Sequence, residues 1–261
     1  MDICKHYVNN KCTKTNCKFK HVDNICRNHF FNECENSNCK FNHNFKLNDN
    51  NNKNTESFIP DNTEPTIRIR FNEPLYSGNE ICIVNNLFNN NNNIYNKLQT
   101  EISNNVYKPW HGDSHLIADD FHEIDWKSYS PTFNFIIKQL CSYFCMTQSA
   151  TRLNYYVDEH DWKPYHHDAA ALKPHKAKTQ NITVGASFGT TREISFESTH
   201  RNNKERIRIN FPLKISPVYA FGNQVNIDFK HGIPQIKECI DKSIDTGRIS
   251  VIIWGYSSLL L

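Results

Sequence analysis

Two histidines and one aspartate in the second half of the chain have the residue types to hold a redox-active metal. Residues 165–168 read YHHD. Side chains alternate along a strand, so His166 and Asp168 would point to one face and His167 to the other. A further histidine, His231, follows in the segment KHGIP. Two imidazoles and one carboxylate on one side of a metal leave three positions open, which is the facial triad of non-haem Fe(II) oxygenases. An H-x-D pair by itself is usually an ordinary surface pair, so this hypothesis needs support from the rest of the chain.

A second set of metal-ligand residue types repeats at the start of the chain. The spacing C-x7-C-x4-C-x3-H occurs twice, offset by 22 residues. A repeat this short cannot bury a core of its own. Three thiolates and one imidazole supply a closed tetrahedral Zn²⁺ site, whose coordination provides folding free energy. Zinc is favoured over disulfide-rich knots because the chain has no secretion signal. The two predicted sets of zinc ligands are Cys4, Cys12, Cys17, His21 and Cys26, Cys34, Cys39, His43.

The basic charge of the chain is confined to these two modules. The whole chain carries a formal charge of +3, whereas residues 1–46 carry +4 and the remainder carries −1. Aromatic rings stand among the lysines and arginines there, and such rings stack on unpaired bases while cations meet phosphates. Some of the rings could instead only cover the zinc. The predicted nucleic-acid contacts in the modules are Tyr7, Lys18, Phe30, Phe31 and Lys40.

The spacing of the two modules resembles the tandem CCCH zinc-finger family, over residues 4–43. The resemblance implies that the modules bind single-stranded nucleic acid, RNA rather than DNA. Some fingers of this family bind protein, and that alternative stays open.

The rest of the chain is expected to form one larger domain that is mainly β with supporting helices. Short strand-like segments separated by turns follow residue 150, a density that favours a β-sandwich or jelly roll. Ser130 at the N-cap and Pro131 at the first helical position predict a core helix of about four turns. The fold class is therefore a double-stranded β-helix (jelly roll) preceded by two small irregular zinc modules. The predicted boundaries are 1–22 and 23–46 for the modules, 47–64 for a flexible Asn-rich linker and 65–261 for the larger domain.

Three motifs of the larger domain resemble the AlkB family of Fe(II)/2-oxoglutarate dioxygenases. An N-x-Y motif precedes H-x-D, two inner strands read NITVGASFGTTREISFE, and the distal histidine is followed 17 residues later by the arginine of RISVIIW. With the segment WHGDSH at 110–115, the similarity spans roughly residues 65–257.

The resemblance implies a role for each matched residue. Arg248 would pair with the distal carboxylate of 2-oxoglutarate, a bidentate task that suits guanidinium, and Asn154 and Tyr156 would hydrogen-bond this cosubstrate. The activity implied is oxidative decarboxylation of 2-oxoglutarate coupled to hydroxylation of a C–H bond, which releases an N-methyl group as formaldehyde. Trp110 and Trp162 are candidates for contact with an unpaired base. The iron ligands implied are His166, Asp168 and His231.

One position departs from the family. A second arginine usually follows the first by six residues, whereas this chain has Trp254 there. Arg192 and Arg208 are the candidates to compensate by their place on the strands. Three functions therefore stay open: an oxidative demethylase or hydroxylase acting on alkylated nucleic acid, an RNA-binding protein with an inactive oxygenase domain, and a protein hydroxylase.

Composition excludes several other classes of protein. Hydrophobic residues make up 38% of the chain, enough for an ordinary core, which excludes full disorder. No apolar run approaches the ~18 residues of a membrane span. The start MDICKHYVNN has no apolar signal region, so the expected location is intracellular, cytoplasmic or nuclear, and the expected state is a monomer.

Overall fold

The chain divides into two compact units, Met1–Thr55 and Glu56–Leu261. The boundary lies within the predicted linker 47–64, which, like Cys34, Phe30 and Phe31, is outside the described residues. The computed structural model describes residues 4, 7, 12–18, 20–26, 38–41, 43, 66–88, 93–102, 104–110, 115–121, 123–199, 207–214, 217–236 and 247–260.

Strands dominate the described part of the larger unit. They are β1 (Arg68–Phe71), β2 (Glu80–Val84), β3 (Lys108–Pro109), β4 (Leu116–Asp119), β5 (Met146–Tyr156), β6 (Lys163–His166), β7 (Ile182–Gly189), β8 (Arg192–Ser198), β9 (Arg208–Leu213), β10 (Val218–Gly222), β11 (Phe229–Ile233) and β12 (Arg248–Ser257).

Helices are fewer, and the longest begins as the sequence predicts. Pro131 is its first residue, and the Ser130 hydroxyl accepts a hydrogen bond from the Phe133 N–H at 3.3 Å. This side-chain cap satisfies one of the donors that a helix start leaves open. The helices are α1 (Ile94–Glu101), α2 (Pro131–Tyr143), α3 (Ala169–Leu172), α4 (Pro174–Ala177) and α5 (Asn223–Asp228), with 3-10 turns at Asn104–Val106 and Trp126–Tyr129.

The strands form two sheets with jelly-roll connectivity. The larger sheet has the order β1-β2-β10-β7-β12-β5-β4-β3, and the smaller has β6-β11-β8-β9. From β5 to β12 the chain passes repeatedly between the sheets, so that β5, β7, β10 and β12 lie in one and β6, β8, β9 and β11 in the other. Eight strands arranged in this way are a jelly roll. The prediction of a mainly β jelly roll with supporting helices is confirmed.

Two apolar layers hold this architecture together. Between the sheets, Ile194 and Phe196 of the smaller sheet pack with Phe221 and Ile252 of the larger one. On the other face of the larger sheet, α1 and α2 pack against the strands in a second cluster. Strand β12 serves both layers, because its odd-numbered residues from 249 to 253 face the helices while Arg248 and the even-numbered residues after it face the smaller sheet.

Candidate active site

Strands β6 and β11 bring the three predicted iron ligands together. His166 ends β6, His231 lies directly opposite it on β11, and Asp168 follows two residues after β6. One ligand atom from each residue lies within 4.8 Å of the other two. The Nε2 atoms of His166 and His231 are 3.9 and 3.6 Å from the two carboxylate oxygens of Asp168. This donor set, two imidazole nitrogens and one carboxylate oxygen, fits Fe(II) with positions left open.

Hydrogen bonds behind the ligands fix their orientation. The Nδ1 atom of His166 is 2.9 Å from the Pro164 carbonyl, so a proton on Nδ1 leaves the Nε2 lone pair facing the site. The Thr183 hydroxyl donates to the Asp168 carboxylate at 2.8 Å. Asn226 accepts from the Asp168 main-chain N–H at 2.8 Å and donates to its carbonyl at 3.3 Å. The carboxylate is therefore held from both its side chain and its backbone.

Electrostatics put the three ligands in the protonation states that a metal needs. Burial lowers the pKa of His166 to about 4 and that of His231 to about 3. Burial alone would raise the pKa of Asp168, but His231, His166 and the Thr183 hydroxyl together lower it. At neutral pH the imidazoles are thus neutral and the carboxylate is charged, which is the state that binds a divalent cation.

Arg248, on the strand face of β12 that turns toward the smaller sheet, is a fully buried cation. One guanidinium nitrogen donates to the Ser187 hydroxyl, and the group lies 5.1 Å from the centre of the Tyr156 ring. Its Nε and Nη1 atoms have no hydrogen-bond partner within the described part of the chain, and no acidic oxygen there lies within 4 Å. Burial lowers its pKa, while Tyr156 and Tyr219 oppose this. A buried charge without a counter-charge is costly, so the environment of Arg248 fits an anionic ligand.

A small inner cavity of about 20 Å³ lies between the metal ligands and the inner face of β12. The side-chain oxygen of Asn154 is buried there without a hydrogen-bond partner among the described residues. Tyr219 lies across Gly185, where a Cβ would come within 2.2 Å of the tyrosine ring. Arg248 lies on the same strand face as the lining residue Ser250. The cavity is lined by Asn154, Tyr156, Lys163, His166, Asp168, Thr183, Ile194, Tyr219, His231, Gly232, Ile233, Ser250, Ile252 and Trp254.

An outer groove of about 530 Å³ lies on the other side of the metal ligands. Trp110 and Phe121 are 45% and 86% exposed there, and Lys173 and Lys176 add positive charge. Four residues line both spaces and are termed the shared wall: Lys163, His166, Asp168 and Trp254. A group bound in the groove would thus meet the metal site from the side opposite the inner cavity.

Trp254, which stands where the resemblance to the AlkB family leads us to expect a second arginine, lies in the shared wall. The guanidinium of Arg152, on the neighbouring strand, is 5.6 Å from the Trp254 ring and 5.2 Å from the Trp110 ring. Arg152 of β5 therefore lies within cation–π distance of both indoles, and it also pairs with Asp119 at 3.4 Å. The sequence alone gave no signal for this role of Arg152.

The two arginines proposed to compensate for Trp254 have different surroundings. Arg192 is buried, donates to the carbonyls of Asp161 and Pro234 at 2.6 and 3.0 Å, and lies 5.7 Å from the Tyr156 ring that Arg248 also covers. Burial lowers its pKa to about 10. Arg208 is exposed and pairs with a glutamate across the strand ladder, away from the cavity. Of the two, only Arg192 lies near Arg248.

Lys163 is a site residue that the sequence did not reveal. It is 8% exposed and belongs to the shared wall. Burial, reinforced by Arg152, lowers its pKa to about 8, and Asp168 opposes this. Strict alternation would place residues three apart on opposite faces. The ladder shifts register between His231 and Ile233, a bulge that turns Lys163 and His166 to the same side.

The predicted base-contacting residues of the larger domain separate into two groups. Trp110 lines the outer groove. Trp162 is 41% exposed, yet it lines neither the groove nor the inner cavity. His115, in the segment with family-like spacing, is fully buried and stacks on Tyr156 with ring centres 4.3 Å apart. His115 therefore supports the inner cavity from behind.

The first unit groups its cysteines and histidines as the repeat predicts. Ligand atoms of Cys4, Cys12, Cys17 and His21 lie within 4.8 Å of one another. The sulfur atoms of Cys4 and Cys17 are 3.6 Å apart, too far for a disulfide and close to the ~3.8 Å of a tetrahedral zinc site. The buried Nε2 atom of His21 has no hydrogen-bond partner among the described residues, as expected of a ligand atom.

The second module shows the same arrangement in its described residues. Cys26, Cys39 and His43 cluster within 4.8 Å, and the two sulfur atoms are 3.5 Å apart. The fourth predicted ligand, Cys34, lies outside the described residues. Three clustered ligands with this sulfur spacing fit a zinc ion.

The surface of the modules carries some of the predicted nucleic-acid contacts. Lys18 and Lys40, which follow equivalent cysteines, are exposed. Tyr7 stacks on His21 with ring centres 4.0 Å apart and donates to Asp23 at 2.6 Å, so one face of its ring supports a zinc ligand. Phe41 is 59% exposed and offers an open aromatic face instead.

Comparison with known proteins adds fold similarities of low sequence identity. No protein-family model matches the chain, and no curated protein sequence matches it. Among solved structures, the chain is similar to OsALKBH1, with a TM-score of 0.44, 15% identity, and coverage of 69% of this chain and 99% of that one. It is also similar to an oxidoreductase of the 2OG-Fe(II) oxygenase family from Burkholderia pseudomallei, with a TM-score of 0.45, 12% identity, and coverage of 67% and 84%. Every helix among the described residues is too short or too polar to span a bilayer. Because both TM-scores are below 0.5, function is inferred below from the side chains of the site.

Proposed function

We propose that the larger unit is an Fe(II)/2-oxoglutarate-dependent dioxygenase that oxidatively demethylates or hydroxylates alkylated nucleic acid. The observation that carries the proposal is the cluster of His166, Asp168 and His231, together with Arg248, a buried cation of the same jelly roll that lies against Tyr156 and has no acidic partner among the described residues. The first three residues form a site for a divalent metal with open positions. Arg248 adds a buried positive charge next to the cavity residue Tyr156, and this charge favours an anionic ligand.

His166, Asp168 and His231 would hold the metal, and other residues of the site would hold the cosubstrate. The iron, when bound, supplies oxygen activation coupled to decarboxylation of 2-oxoglutarate. Arg248 holds the distal carboxylate of the cosubstrate, with the Ser187 hydroxyl orienting the guanidinium. Asn154, which lines the cavity, would donate to the cosubstrate from its amide N–H, because an amide oxygen can only accept, and Tyr156 supports the arginine from one side. Burial of these groups excludes water from the reacting centre.

The outer groove fits an unpaired base with its flanking phosphates. Trp110 offers an exposed indole face for stacking, and Lys173 and Lys176 offer charges for phosphate. A base that stacks there lies next to the shared wall and thus next to the metal. Chemistry on a base requires that it leave its duplex or come from a single strand.

The zinc modules deliver the enzyme to single-stranded nucleic acid, RNA in preference to DNA. Their net charge of +4, the exposed Lys18 and Lys40 and the open ring of Phe41 support this role. Tethering through the chain raises the concentration of the catalytic unit near the bound strand.

The test is an anaerobic binding and single-turnover experiment. The protein is loaded with Fe(II) and 2-oxoglutarate and exposed to oxygen with methylated single-stranded RNA, with the matching DNA, or with neither. We expect succinate release that the oligonucleotide stimulates and that His166→Ala abolishes. His160→Ala, which removes an exposed histidine of the same segment, is the control that keeps activity. Equal succinate from the two variants would contradict the proposed iron site.

A catalytically inactive oxygenase domain on an RNA-binding protein is the second candidate. It is favoured by Trp254, an indole in the shared wall where the related family has a cation. This candidate predicts zinc-dependent RNA binding with no measurable binding of 2-oxoglutarate to the metal-loaded protein. Calorimetric titration of 2-oxoglutarate into the anaerobic protein separates the two.

A further inference from the structure

Lys163 is a buried primary amine at the boundary between the inner cavity and the outer groove. It is 8% exposed, and no acidic oxygen within the described part of the chain lies within 4 Å of its ammonium group. A lysine is almost never this buried unless it is paired. Asp168 is the nearest acidic group in the wall, but it is committed to the metal site and to the Thr183 hydroxyl.

The site has an excess of positive charge, which a ligand with two negative groups would offset better than a ligand with one. A divalent metal held by two neutral imidazoles and Asp168 keeps one positive charge, to which Lys163 and Arg248 each add one. A dicarboxylate supplies two negative charges on one small molecule. The cavity therefore matches a doubly charged ligand better than a singly charged one.

The two cations approach the inner cavity from different strands. Lys163 shares the short strand β6 with His166 and lines the cavity beside His166 and Asp168. Arg248 lies on β12, and its guanidinium is 5.1 Å from the centre of the Tyr156 ring, which also lines the cavity. Lys163 is therefore the cation that lies next to the metal ligands, whereas Arg248 lies next to Tyr156.

We propose that Lys163 binds the metal-proximal carboxylate of the 2-oxo acid cosubstrate, while Arg248 holds the distal carboxylate. This inference rests on the proposed function and names a residue that the related family's motifs do not supply. The bulge in β6 is what makes the contact available, because it turns Lys163 toward the metal beside His166. A phosphate of the substrate is the less fitting partner, since Lys163 is buried whereas the groove has the exposed Lys173 and the half-buried Lys176 as more accessible cations.

The experiment compares four variants with two ligands. Dissociation constants are measured by calorimetry on the anaerobic Fe(II) protein for 2-oxoglutarate and for 2-oxopentanoate, in which a methyl group replaces the distal carboxylate. We expect Lys163→Met to weaken both ligands by roughly 30-fold or more. Arg248→Met should weaken only 2-oxoglutarate. Lys163→Arg should retain most of the affinity, and Lys178→Met, which removes an exposed lysine that lines neither the cavity nor the groove, should leave both constants unchanged.

Two results would overturn the inference, and they are distinguishable. If Lys163→Met binds both ligands like the wild type but binds methylated oligonucleotide more weakly, Lys163 contacts substrate phosphate. If the wild-type protein binds neither ligand, the proposed function fails and this inference fails with it. Iron content measured on each variant shows that the metal site is intact, so a loss of ligand affinity is assigned to the lost charge.

Discussion

Replacing Arg248 by methionine should change stability and ligand affinity in opposite directions. The guanidinium is fully buried, keeps one hydrogen bond to Ser187 and lies against Tyr156, but leaves Nε and Nη1 without partners among the described residues. Removing a charge in this state should stabilise the ligand-free protein by about 1–2 kcal/mol. The same change should weaken 2-oxoglutarate roughly 30-fold or more, because the bound carboxylate then loses its buried partner.

The assay is denaturant unfolding of the anaerobic Fe(II) protein with and without 2-oxoglutarate. At about 100 times its dissociation constant the ligand stabilises the wild type by about 2.7 kcal/mol. At the same concentration, 2-oxoglutarate should stabilise Arg248→Met by only about 0.9 kcal/mol if the variant binds it 30-fold more weakly. Arg192→Met is the matched control, since Arg192 donates to two backbone carbonyls and its loss should destabilise by about 1–3 kcal/mol. A ligand-free Arg248→Met less stable than the wild type by 2 kcal/mol or more would refute the reasoning and make Arg248 a structural residue.

Three further predictions test other parts of the molecule. Gly185→Ala should destabilise the protein by about 1–3 kcal/mol in denaturant unfolding, because its Cβ would come within 2.2 Å of the Tyr219 ring. Adding Tyr219→Leu to the same chain should recover part of the lost stability. If the double variant recovers none of it, the loss has another cause. Folding lowers the pKa of His166 from 6.5 to about 4 and that of His231 from 6.5 to about 3. As the pH falls, the two histidines therefore take up protons in the unfolded chain before they do so in the folded one. The free energy of unfolding of chelator-treated protein should thus fall as the pH drops from about 6.5 to 4. His231→Gln should flatten this slope, and an unchanged slope would assign it to other groups. Cys12→Ser should lower the zinc content by one ion per chain while iron binding persists; unchanged zinc, measured by metal analysis, would count against Cys12 as a ligand.

Local rules in the sequence were sufficient for most of the fold. Ser130 and Pro131 mark the start of α2 because a hydroxyl cap and a proline satisfy the same helix end. Alternating polar and apolar residues in β12 separate the helix-facing side from the cavity side, which places Arg248 inward. These features depend on neighbours in the chain and can be read without tertiary structure.

The residues that the sequence did not reveal depend on tertiary geometry. Lys163 reaches the metal side only because two residues of β6 oppose one residue of β11, and a bulge leaves no signature in a short segment. Arg152 becomes a site residue because two indoles from distant segments enclose it. Trp162, four residues before His166, is a candidate for contact with an unpaired base but lines neither cavity, since closeness in sequence does not fix the direction of a side chain on a loop.

The central place of β12 has a consequence for how the chain folds during synthesis. This strand pairs with β5 on one side and β7 on the other, and it is synthesised after both of them. Until it emerges, β5 and β7 each expose an unpaired edge, and such edges recruit other chains. The helices α1 and α2 have no complete sheet to cover in that interval. The partly synthesised chain is therefore most prone to aggregation while the larger sheet lacks β12. A chaperone that shields the edges of β5 and β7 would have to bind before residue 248 is available.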